Sequence, residues 1–183
     1  MRHGLGFTLA ALCALGSPRG YSADCPPVVV TGDQTLTNTC LGVCGVYQIG
    51  DSAAGPDLHF GGALPDVVSF EFYSPDFDYP RTGTFDLGAG VDTNYATCQQ
   101  CILVYQDYTD PATPTKTFFQ TAGSITISSQ TVPGLAPSVG LSLTGVTVAE
   151  VTIDPNTFVS TLVPDGACYT IANDFVFRDG FEP

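Results

Sequence analysis

Asn94-Tyr-Ala-Thr-Cys98-Gln-Gln-Cys101-Ile-Leu-Val-Tyr105-Gln-Asp107 is the stretch whose reading decides the fold. It joins two cysteines three apart to the densest apolar run of the chain. Ile102 to Tyr105 leaves no polar face, so a strand here must be covered on both sides. After Asp107 come Pro111 and Pro114, and then Lys116-Thr-Phe-Phe-Gln-Thr121, a second β-prone run that folds back on the first as a long-looped hairpin. These two strands are expected to nucleate the core.

The same alternation recurs on either side. Val67 to Tyr73 puts Val67, Ser69, Glu71 and Tyr73 on one face and Val68, Phe70 and Phe72 on the other, the pattern of a half-buried strand. Further strands are read at 28–31, 34–39, 82–87, 123–129, 139–153, 158–163 and 168–172. Gly145 shifts the parity of the apolar series Leu141, Leu143, Val146, Val148, Val151, so a bulge is expected there. Beyond the leader no segment keeps an apolar 3.6-residue period over ten residues. The fold class is therefore all-β, a disulfide-bonded antiparallel two-sheet sandwich of jelly-roll or immunoglobulin-like topology.

With 183 residues, one core is the natural unit. Residues 1–23 carry Arg2 and His3, a short apolar run from Leu5 to Leu15, and a break at Gly16-Ser17-Pro18. That is the pattern of a signal peptide, too short for a membrane span, which needs about 20 apolar residues. No other segment could span a membrane. The reading divides the chain into a signal peptide (1–23), a β-sandwich domain (24–173) and a C-terminal tail (174–183), and places the mature protein in the periplasm, at the cell surface or outside the cell.

Removal of the leader leaves Arg81, Lys116 and Arg178 as the basic side chains against 18 acids. Nucleic acid and anionic membrane surfaces both require a basic face, so neither is a partner. The cysteines that remain are Cys25, Cys40, Cys44, Cys98, Cys101 and Cys168, an even number that reads as three disulfides in an exported chain. Zinc on the Cys40/Cys44 and Cys98/Cys101 pairs is disfavoured by the oxidising compartment and by the lack of an accompanying histidine. Three cysteines precede the central strand and three lie within or after it, so an odd number of bonds must cross. The scheme expected is one crossing bond, Cys168 with Cys98 or Cys101, and Cys25 with Cys40 or Cys44. A Cys98–Cys101 bond closes a very small ring and is disfavoured for strain.

Four stretches, Asn94-Tyr-Ala-Thr-Cys-x-x-Cys-Ile-Leu-Val, Thr117-Phe-Phe-Gln, Val148-Ala-Glu-Val-Thr-Ile-Asp-Pro-Asn-Thr-Phe and Pro164-Asp-Gly-Ala-Cys, cover about half of the mature chain. Together they resemble a β domain of exported proteins in Gram-negative bacteria. The ending Phe177-Arg-Asp-Gly-Phe-Glu is similar to a short C-terminal tail of such proteins. The resemblance implies export and a β fold, and brings with it no activity, ligand or site residue.

Function is less legible. The one mature histidine, His59, has no partner signature, and there is no Gly-x-Ser-x-Gly turn, so a hydrolytic triad has little to stand on. The expectation is a non-catalytic structural or extracellular binding module with a ligand on the cell surface or outside the cell. The alternative is a Ca²⁺-dependent carbohydrate- or surface-binding module, and a carboxylate-based hydrolase stands third. Ca²⁺ is the one cofactor suggested, through Asp76, Asp78, Asp86 and Asp92 in Gly- and Pro-rich loops, with Asn94 as a further oxygen ligand. In the loop 74–81, Phe77 and Tyr79 have two readings, ligand-stacking platforms or residues folded back under their own loop, and the second is favoured because the chain has no Trp, the ring most used against sugars.

Overall fold

The computed structural model describes residues 25–30, 33–37, 44–50, 60–73, 81–108, 114–130, 138–171 and 174–178. The fold grows out of two long strands, β7 (Lys116–Gln130) and β8 (Ser138–Ile153), which form an antiparallel hairpin. Along one flank of β7 lie β6 (Gln100–Gln106) and β5 (Gly83–Asp86). Along the far flank of β8 lie β11 (Asp174–Arg178), β10 (Cys168–Ile171) and β9 (Ser160–Leu162), in that order along its length. Beyond β6 the sheet continues through β4 (Val67–Tyr73) and β3 (Cys44–Gly50) to β2 (Asp33–Thr37), and beyond β10 it ends at β1 (Pro27–Val28). The class is all-β as expected. The described strands form one continuous sheet that bends until β2 comes within 8 Å of β11. β11 carries the sheet past residue 173, into the segment read as a tail.

The expectation of purely antiparallel pairing requires a correction, because β1 runs parallel to β10, with Pro27 opposite Thr170. Its cause is local. Thr170 N–H donates to Pro26 O, and Cys25 is bonded to Cys168 with their Cα atoms 5.1 Å apart, so the short strand is pinned at its start.

The bend is written into β7 and β8. Register shifts fall between Gln120, Ala122 and Ser124, opposite Gly145 at φ 58°. The parity change expected at Gly145 therefore does its work: Leu141, Leu143, Val146 and Val148 all reach the same core. At Gly123, φ is 96° and a Cβ would stand 2.5 Å from both Gly145 O and Val146 Cα, so the two backbones meet where only glycine fits.

One face of the bent sheet encloses the main core, with Val68, Phe70, Phe72, Ile102, Val104, Phe118, Ile125, Ile127 and Ile171 joining the β8 series. The opposite face of β4, β6 and β7 is covered as well. Cys98, Cys101, Leu103, Phe119 and Val151 form a second buried cluster, flanked by Tyr73, Tyr95, Tyr105 and Ile153. The central strand is covered on both sides, as its composition requires. For β4 the half-buried reading is corrected, since Val67, Ser69 and Glu71 are buried too. A side chain's polarity reports whether it can face water, and here a loop segment has taken the water's place.

The disulfides also depart from the expected scheme. Cys25 pairs with Cys168, and Cys98 with Cys101 at a Cα separation of 5.6 Å. In the sheet order β10 and β6 are separated by β8 and β7, so Cys168 cannot reach the cysteines at the head of β6. Cys98 meanwhile closes a turn in which the N–H groups of Thr97 and Cys98 both donate to Asn94 O, and this folds it back towards Cys101. Cys25–Cys168 is a bond crossing the central strand, as the parity argument demands. Cys40 and the side chain of Cys44 lie outside the described residues, as do residues 1–23 that were read as a signal peptide, His59, Asp76, Phe77, Asp78, Tyr79 and residues 179–183.

Candidate functional site

Two segments cover the second face, residues 87–99 and the turn leading into β9. The first begins with Asp86, whose carboxylate accepts from Gly88 N–H at 2.9 Å, and passes through a 3₁₀ turn at Gly90–Thr93. Asp92 is buried in that turn, and its Oδ1 accepts from the N–H groups of Gln99 (2.7 Å) and Gln100 (3.0 Å). Gln120 of β7 completes the fastening. Its Nε2 donates to Asp92 O (2.9 Å) and Gln100 O (2.7 Å), while its Oε1 accepts from Ile102 N–H (2.6 Å). One side-chain amide thus extends the β6–β7 ladder as a peptide group would, with donor and acceptor both engaged.

Asn94 links the two covering segments. Its Nδ2 donates to Ser160 O at 2.9 Å, its Oδ1 accepts from the N–H groups of Ser160 (3.2 Å) and Ala96 (3.1 Å), and Tyr95 N–H donates to the Ser160 hydroxyl at 3.1 Å. Beneath them Glu71 accepts from the hydroxyls of Ser69 (3.1 Å), Tyr73 (2.8 Å) and Tyr95 (3.0 Å). Burial first, and then the Glu71 carboxylate, push the Tyr95 phenol up to about 12 and the Tyr73 and Tyr105 phenols upward in the same sense.

The second segment is Asp154-Pro-Asn-Thr-Phe-Val. Asp154 opens the turn through its side chain, its Oδ1 accepting from the N–H groups of Asn156 (2.9 Å) and Thr157 (2.8 Å), and Pro155 follows with its backbone preset for a turn. The turn ends with Phe158 N–H donating to Asp154 O at 2.8 Å and with φ 58° at Phe158. A left-handed conformation at this position is ordinary for glycine and costs a side-chain-bearing residue about 1 kcal/mol. The ring it carries is 55% exposed and stands edge-on to Tyr95 at 6.3 Å. Val91, Val159 and Leu162 are exposed on the same two segments.

Between β7, β8, β9 and the 3₁₀ turn lies a pocket of about 200 Å³ lined by Thr93, Phe119, Gln120, Thr121, Val151, Ser160 and Leu162. No charged side chain lines it. Phe119 and Val151 are buried, whereas Thr93, Thr121 and Leu162 stand exposed to solvent.

Of the residues read as Ca²⁺ ligands, Asp86, Asp92 and Asn94 each offer an oxygen that already accepts a backbone N–H, and Asp76 and Asp78 lie outside the described residues. Among the described residues no group of three or more His, Cys, Asp or Glu side chains could hold a metal ion, and no helix is long and apolar enough to cross a membrane. Other acids have structural partners too. Asp66 accepts from the N–H groups of Phe60 and Asp107, Asp107 accepts from those of Ala63 and Leu64, and Glu150 accepts from Lys116 Nζ and Ala167 N–H. Sequence reasoning missed Phe158, Ser160, Leu162, Thr93 and Thr121, which come from three separate stretches of the chain. The Asp-Pro-Asn-Thr turn was a usable signal, since it shows where the chain reverses and which residue must stand at its tip. No family model, no curated protein and no solved structure matches this chain.

Proposed function

We propose that this chain is an exported, non-catalytic binding module whose ligand face is the surface formed by residues 87–99 and 154–162. The observation that carries the reading is that these two segments expose Val91, Phe158, Val159 and Leu162, and that Leu162 also lines an uncharged pocket. Phe158 holds its ring outward at the cost of a left-handed backbone, and strain of this kind marks positions kept for function. Among the described acids, Glu71, Asp66, Asp92, Asp107, Glu150 and Asp154 are engaged in hydrogen bonds that hold the fold, which supports a non-catalytic role for them. The disulfides Cys25–Cys168 and Cys98–Cys101 support an oxidising location outside the cytosol.

The test is retention of the labelled protein on intact Gram-negative cells and on isolated envelopes. Saturable retention is expected for the unaltered protein, and its loss for Phe158→Gly combined with Leu162→Ser at an unchanged melting temperature. Absence of saturable retention by the unaltered protein, or full retention by the variant, overturns the reading.

A further inference from the structure

We infer that the pocket between β7, β8, β9 and the 3₁₀ turn binds the neutral ring of a sugar residue, without a metal ion. The inference rests on the binding-module reading and names the ligand class. Its volume of about 200 Å³ lies below the roughly 300–1,000 Å³ of sites for drug-sized ligands, leaving room for a single ring.

The hydrogen-bonding inventory of the lining sets the chemistry. A hydroxyl has one donor proton and two acceptor lone pairs. The Thr93 hydroxyl donates to Gly90 O at 3.0 Å and the Thr121 hydroxyl to Thr147 O at 3.3 Å, so each presents acceptor capacity alone. The Ser160 hydroxyl accepts from Tyr95 N–H at 3.1 Å and keeps its proton to give. The Gln120 amide is committed to Asp92, Gln100 and Ile102 and offers nothing further. The lining residues therefore bring two hydroxyls with acceptor capacity and one with a proton to give, beside the buried side chains of Phe119 and Val151 and the exposed Leu162.

A sugar ring matches that set, because its hydroxyls both donate and accept while its C–H face is apolar. A carboxylate or phosphate does not match. It would turn lone pairs towards the acceptors of Thr93 and Thr121 in a chain whose formal net charge is −13. A purely apolar ligand would desolvate the remaining acceptor sites of Thr93 and Thr121 and the Ser160 proton without giving them partners.

The experiment records backbone amide NMR spectra of the disulfide-bonded protein, in chelator, during titration with methyl α-glucopyranoside, methyl β-galactopyranoside, N-acetylglucosamine and glucuronate. Saturable shifts centred on residues 93, 121 and 160–162 are expected with at least one neutral sugar, and weaker binding with glucuronate. Thr121→Val removes one exposed acceptor and is expected to weaken that sugar about fivefold, from a hydrogen bond worth about 1 kcal/mol. Leu162→Trp, also at an exposed position, is expected to fill the pocket and abolish the shifts. The inference is overturned if no neutral sugar gives saturable shifts, if the shifts lie elsewhere, if glucuronate binds as tightly, or if both variants bind like the parent. Saturable envelope retention in the absence of sugar binding would defeat the sugar inference and leave the module standing. Loss of both would defeat both.

Discussion

Gln120, on β7, donates through its side-chain amide to the main-chain carbonyl of Asp92 at 2.9 Å, and so holds the segment that covers the second face of the sheet. The same amide serves Gln100 O and Ile102 N–H, and Gln120 is buried. Gln120→Leu keeps most of the volume and leaves three main-chain groups without a partner. At about 1–3 kcal/mol for each stranded group, the loss should reach at least about 3 kcal/mol. Urea unfolding read by circular dichroism checks it. A loss below about 1 kcal/mol would mean that Gln120 is not the fastening described here.

Two glycines in the bend give opposite expectations for the same change. Gly123→Ala drives a methyl group to 2.5 Å from Gly145 O and Val146 Cα at φ 96°, which forces the β7 and β8 backbones apart. Gly145→Ala, at φ 58° with open space beside it, meets only the left-handed penalty of about 1 kcal/mol. Thermal melts should show the first variant unfolded or drastically weakened and the second only mildly less stable. Equal effects would show that the close approach at the bend is not what fixes these residues.

Stability should fall at both ends of the pH scale. On the acid side, the Glu150 carboxyl is held below its ordinary value by Lys116 Nζ and Ala167 N–H, Asp107 by the N–H groups of Leu64 and Ala63, and Asp154 by those of Thr157 and Asn156. Their contribution is complete above the ordinary carboxylate value of about 4 and is lost as pH falls through the depressed values. On the alkaline side the folded protein favours the neutral phenols of Tyr73, Tyr95 and Tyr105, so their contribution is complete below about pH 10 and is lost as pH rises beyond it. Urea midpoints at about pH 3, 7 and 11, together with tyrosinate absorbance, test both limbs. Ionisation of every tyrosine near pH 10 in the folded state would remove the alkaline limb.

The apolar run Ile102 to Tyr105 announces its doubly covered strand because water is a poor neighbour to all four side chains. Parity in β8 likewise exposes its own break at Gly145, since apolar residues must return to one face. Glu71 and Asp92 are harder to read, because their burial depends on partners distant in sequence: Tyr95 lies 24 residues from Glu71, and Gln120 lies 28 from Asp92. Composition alone made Asp92 and Asn94 resemble metal ligands. A carboxylate or amide oxygen suits a cation and a backbone N–H equally well, and only the fold shows which one it has met. The Cys98–Cys101 bond was discounted for ring size, an argument that weighs local strain without knowing that three intervening strand-to-strand spacings keep Cys168 away.

The Cys25–Cys168 bond closes 143 residues of sequence separation into a covalent ring, and this alters what a protease can do to the molecule. A single cut in any loop between those cysteines opens the ring without dividing it, so both new ends stay attached to one particle. Such a nicked chain keeps its mass until a reductant arrives, and the halves of the sheet remain at the high local concentration that favours their pairing. Wherever a protease reaches the chain, the ring turns a break from loss of the protein into damage that the fold can tolerate.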